Sequence, residues 1–149
     1  MDIDKLMEKP YWIVDVLPKQ VPANAEGQYF KIEQYYLKRM PYLCRKYVNI
    51  LLKLNCYFDL AVSNDGENWE NNPEPEKLEQ SVGACMSEEP TESSLFIFLK
   101  SDEVLLVLGR DSTYMTMYNP TEEVLELIRQ LASSEGFFVW QPNKNEFFV

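Results

Sequence analysis

The chain has 149 residues, 24 acidic and 14 basic, for a formal charge of −10, and contains no histidine. The missing imidazole excludes a Ser–His–Asp triad, a Cys–His dyad, a His-bearing zinc site and a two-His-one-carboxylate iron site. So negative a surface repels nucleic-acid phosphates and anionic membranes, and a 46% hydrophobic, 13% aromatic composition supplies the core of one domain spanning 1–149.

In chain order, residues 2–8 read as a short helical turn ended by Pro10, and 11–16 (YWIVDV) as a β-branched, aromatic strand. Pro18 and Pro22 hold the next stretch extended, and 23–27 is a loop. Residues 28–37 fit neither period cleanly; their aromatic content favours a strand over 28–33, with a helix as competitor. Pro41 opens a helix with an apolar stripe of Leu43, Tyr47, Ile50, Leu51 and Leu54, ending near Asn55. Residues 57–62 resemble a short strand, Ser63-Asn64-Asp65-Gly66 a turn, and 77–86 a short helix. The segment 63–94 is polar and acidic, and 59–92 carries ten acids against one base.

The apolar runs 95–99 and 104–108 read as central strands covered on both faces, joined by the turn Ser101-Asp102-Glu103. A third strand, 114–118, puts Tyr114 and Tyr118 on the face opposite Met115 and Met117; these are expected to be core, unless the strand lies near a sheet edge, where one face would be an exposed binding surface. Asn119 is expected to cap a helix with Pro120 first and Glu122 completing a capping box. Its buried stripe is Val124, Leu127, Ile128 and Leu131, and Gly136 stops it. Strands at 137–140 and 147–149 close the chain. The expected fold is α+β: a largely antiparallel sheet with two main helices on one face and a C-terminal β-β-β-α-β-β order.

The opening Met1-Asp2-Ile3-Asp4-Lys5 lacks the apolar run of a secretory signal, and no stretch of about 18 apolar residues occurs. These features and three irregularly spaced cysteines, Cys44, Cys56 and Cys85, point to a reduced, cytoplasmic setting. None of the cysteines has a sequence neighbour set that would activate a thiolate, with Cys85 the nearest case and Cys44 a small buried hydrophobe.

The acidic turn fails as a calcium loop, because Ala61 and Asn72 stand where acids are required, and no cofactor motif occurs. Trp69 within that turn either folds back on the core or anchors a partner. Arg45, Lys46 and Lys53, with Lys38 and Arg39 before them, form the one basic stripe, expected to be solvated or paired with the acidic segment. Asp15, between Val14 and Val16, is the acid best placed for a raised pKa, although the commoner arrangement, and the one expected, has it facing solvent as the polar member of an alternating strand.

The leading functional expectation is therefore a non-enzymatic protein-binding module. Asp65, Glu67, Trp69 and Glu70 would meet a partner of basic character, with no cofactor, nucleic acid or membrane involved. That outline, small, acidic, cytosolic and α+β, is similar to many bacterial immunity proteins, an analogy of description that assigns no residue. A second expectation is a small-molecule-binding or carboxylate-dependent hydrolytic domain using acids and tyrosines in an aromatic pocket. The chain would be a monomer, or a homodimer paired through Phe147-Phe148-Val149.

Overall fold

The computed structural model describes residues 2–25 and 27–142. Among them run α1 (Ile3–Leu6), β1 (Tyr11–Asp15), α2 (Gln28–Leu37), α3 (Met40–Leu54), β2 (Leu60–Ser63) and β3 (Glu70–Asn71). There follow α4 (Pro75–Cys85), β4 (Ser94–Leu99), β5 (Val104–Gly109), β6 (Met115–Tyr118), α5 (Glu122–Ser134) and β7 (Phe138–Trp140). The seven strands form one sheet in the order β3-β2-β4-β5-β6-β1-β7, with every neighbouring pair antiparallel. The fold is α+β, as the sequence implies. The C-terminal order is β-β-β-α-β, and the strand expected at 147–149 lies outside the described residues.

The core lies between one sheet face and the helices α3, α4 and α5. Leu95, Ile97 and Leu99 of β4, Val104, Leu106 and Leu108 of β5, and Met115 and Met117 of β6 point into it. They meet Leu43, Tyr47, Ile50, Leu51 and Leu54 of α3, Leu78 and Val82 of α4, and Val124 and Ile128 of α5. Three helices thus share this face where two main ones were expected. The period-2 pleat sends alternate residues the other way. Burial in β4 accordingly alternates, so its apolar run is not covered equally on both faces as the unbroken hydrophobicity suggests. The other face carries the row Ser63, Phe96, Val107, Thr116, Ile13 and Trp140, each paired with the next across six strands.

Two expectations are corrected outright. Residues 28–37 are a helix, not a strand. Tyr29, Glu33, Tyr36 and Leu37 recur at helical spacing and are half-buried, and the Tyr29 hydroxyl donates to Glu33 Oε2 at 3.1 Å. Aromatic β-propensity loses to this i,i+4 pairing and to packing against α3. Gly27, at φ +81°, takes the left-handed turn that starts the helix.

The cap of α5 is Thr121, not Asn119: Thr121 accepts from Val124 N at 3.2 Å. Asn119 instead adopts φ +60°; its amide donates to Pro10 O and its side chain to Glu103 O, tying the end of β6 to the start of β1. Four smaller corrections follow the same logic. The strand at 57–62 begins only at Leu60, the helix at 77–86 begins at Pro75, and the third strand begins at Met115 rather than at Tyr114. The buried stripe of α5 is Val124, Leu125, Ile128 and Ala132, with Leu127 and Leu131 half-buried beside it. Gly136, at φ +81°, ends that helix as expected.

Candidate functional site

Where β1 and β6 lie side by side, the second sheet face is walled by the connection from β1 to α2. Between them is a cavity of about 620 Å³. Its floor is Tyr11, Ile13 and Asp15 of β1 with Thr116 and Tyr118 of β6. The facing wall is Gln20, Val21, Pro22, Ala23 and Ala25 with Tyr29 and Phe30 of α2; Met7, Tyr114 and Trp140 complete it. Prolines 18 and 22 stiffen the wall, because each fixes its own φ and biases its predecessor to extended backbone. The volume falls within the range of about 300–1,000 Å³ usual for small-molecule sites.

Asp15 is the buried acid at the floor, 5% exposed. Burial pushes its carboxyl up from 3.8 to about 6, against the lowering effect of the amides of Val16 and Leu17; the charge of Glu33 adds a little. The Val16 amide donates to Asp15 Oδ1 at 2.7 Å. Four phenols line the same cavity, Tyr114 level with Asp15 and Tyr11 and Tyr118 at the other end of the floor. Burial raises the pKa of Tyr11, Tyr29 and Tyr118, and Tyr114 raises each of them further, which places Tyr114 among the other three. The rings of Tyr11 and Tyr118 are 5.6 Å apart. Two buried polar atoms on lining residues, Gln20 Oε1 and Trp140 Nε1, have no hydrogen-bond partner among the described residues. The tyrosine face of the third strand was legible in its alternation; Asp15, expected to face solvent, is instead buried, because the connection to α2 covers that face of β1. That covering wall was not legible, since it depends on a loop and on a helix read as a strand.

The four residues expected to meet a partner lie elsewhere, around the turn after β2. Asp65 Oδ1 accepts from the amides of Glu67 at 2.9 Å and Asn68 at 2.8 Å and from the Ser63 hydroxyl. These bonds hold its carboxyl well below the usual carboxylate range. Trp69 is half-buried: its ring meets Phe98 edge-on and its Nε1 donates to Gly66 O at 3.2 Å. Glu70 pairs with Lys77 at 2.8 Å, and Glu67 is exposed. Asp65, Trp69 and Glu70 therefore all have bonding or packing partners within the chain.

The basic stripe is also engaged. Arg45 pairs with Glu79 of the acidic segment at 2.6 Å. Lys46 donates to Glu135 O at the C-terminal end of α5, and Lys53 lies 3.8 Å from the Glu135 carboxylate. Arg39 stacks over Tyr35 at 3.7 Å. Cys85 is buried with its thiol pushed up to about 12 by desolvation, the opposite of an activated nucleophile. Cys44, expected to be buried, is half-buried. Among the described residues, no cluster of three or more His, Cys, Asp or Glu could hold a metal ion, and no helix is long and apolar enough to cross a membrane. Comparison with protein-family models, curated proteins and solved structures returned no match.

Proposed function

We propose that the protein is a small-molecule-binding domain whose ligand occupies the cavity between the tyrosine-bearing sheet face and the connection from β1 to α2. The observation that carries this reading is the coincidence of three features in one concavity: a buried carboxyl, a set of phenols, and two buried polar atoms left without partners. Buried polar groups are nearly always hydrogen-bonded, and an unsatisfied one costs about 1–3 kcal/mol. A bound molecule that supplies those bonds recovers that cost on binding. Asp15 is the one carboxyl lining the cavity among the described residues, and Glu33 sits behind Tyr29. Paired-carboxylate hydrolysis needs two acids facing the scissile bond, so binding is favoured over that chemistry.

The test is ligand-observed NMR with a library of small aromatic and aliphatic fragments. Thr116 lies half-buried on the floor, and Thr116→Phe would fill the space without disturbing the core face. Fragments should bind the wild type and lose binding in a folded Thr116→Phe protein. Hits that survive the substitution, or a library with no hits, would remove the proposal.

A second reading keeps the acidic segment as a partner surface. It is favoured by Glu67, Glu74, Glu76, Glu88, Glu89 and Glu92, all exposed. Steering by such a field weakens with ionic strength. Affinity for a basic partner should fall on going from about 50 mM to about 500 mM salt. An unchanged affinity would count decisively against this surface.

A further inference from the structure

Resting on the cavity reading above, we infer that the ligand is an organic cation: an ammonium group held at Asp15, with an apolar body against the aromatic walls. Charge is the first argument. Asp15 is the only acid and Lys19 the only base lining the cavity among the described residues, and Lys19 is exposed at the rim. Among the described residues the interior thus presents a carboxylate without a cationic partner. A ligand that brings the positive charge converts a desolvated, uncompensated ion into a pair.

Ring chemistry is the second argument. The faces of Tyr and Trp rings are negative and attract cations within about 6 Å of their centroids. Tyr29, Tyr114 and Trp140 put three such rings at the Asp15 end of the cavity lining, and Tyr118 lies at the other end of the floor, level with Tyr11. The third argument is Gln20 Oε1, a buried acceptor awaiting a donor, which an N–H of an ammonium ion provides and a carboxylate ligand does not. An anionic ligand would accept from the phenol hydroxyls and from Trp140 Nε1 but would face the Asp15 carboxylate and Gln20 Oε1, with Lys19 the one base lining the cavity among the described residues.

Proton linkage gives the assignment a signature. The titratable groups that act on Asp15 or share its end of the cavity are Tyr114 from the turn before β6, Tyr29 and Glu33 from α2, Tyr47 from α3 and Lys19 from the connection, with Tyr11 and Tyr118 at the far end of the floor. An ammonium ion held at Asp15 competes with the proton on that carboxyl, which titrates at about 6. Its affinity should rise as pH climbs through about 6 and then level off.

The experiment uses three probes with one body: 2-phenylethylammonium, 2-phenylethanol and phenylacetate, titrated calorimetrically into the full chain. At pH 7.5 the ammonium ion should bind about tenfold or more tightly than the alcohol, a preference that shrinks at pH 5. Asp15→Asn should abolish the preference of the cavity for the ammonium ion over the alcohol. Equal binding of the alcohol, or tighter binding of phenylacetate, would overturn the charge assignment and leave the cavity reading standing. Absence of ammonium binding at millimolar concentration would overturn it as well. The cavity reading itself falls only with the fragment and Thr116→Phe test.

Discussion

Truncating Tyr47 to alanine is expected to cost about 3–5 kcal/mol, and removing only its hydroxyl, in Tyr47→Phe, about 1–3 kcal/mol. Tyr47 is fully buried on α3. Its hydroxyl lies 2.8 Å from Thr113 O and 3.1 Å from Val14 O, and its ring stacks on Phe137 at 4.7 Å. One side chain thus joins the helix layer to β1, to the turn entering β6, and to the segment leaving α5. The alanine variant opens a ring-sized hole beneath all three. The phenylalanine variant keeps the packing but leaves two buried carbonyls without that donor. Against a total stability of about 5–15 kcal/mol, the larger loss is a substantial fraction. Urea denaturation with unchanged slope is the measurement. An alanine variant that loses less than about 1 kcal/mol would show that Tyr47 does not hold these elements together.

The second large effect concerns Asp15 and carries a sign. Its carboxyl sits at about 6 in the fold and near 3.8 when unfolded, so between these values the native state binds more protons. Stability from this group is fully present below about pH 4 and is lost as pH rises through about 6. The gap, at about 1.4 kcal/mol per pH unit, amounts to about 3 kcal/mol of destabilisation at pH 7.5. Asp15→Asn keeps an acceptor for the Val16 amide and removes the charge. The variant should therefore gain about 3 kcal/mol at pH 7.5, roughly 6–12 °C in Tm, and nothing at pH 4. Asp65 contributes in the opposite sense, and only below about pH 4, so the difference between the two proteins isolates Asp15. Parallel stability curves from pH 4 to 8 would refute the account. A protein that is more stable without its buried charge, yet loses its preference for an ammonium ion, would show a site retained at a cost in stability.

Much of the body was legible before any coordinates. The α3 stripe, the Pro41 start, the strands of the C-terminal third and the Gly136 stop follow from periodicity and local steric rules that act within a few residues. Errors fell where a residue's role is set by a distant partner. Asn119 has the composition of a cap, but Pro10 O and Glu103 O claim its donors. Residues 28–37 look β-like until α3 supplies the surface their inner face packs on.

The site divides in the same way. Sequence by itself determined the absence of imidazole chemistry, the α+β class, and the segregation of tyrosines and methionines to opposite faces of one strand, because each depends on residue type or on a period of two. Only the tertiary structure decided that the tyrosine face is walled off by the connection to α2, and that Asp65 and Glu70 are bonded within the chain while Trp69 packs on Phe98. Those outcomes follow from which strands lie next to one another and which loop folds over them, and contacts across tens of residues leave no periodic mark in the chain.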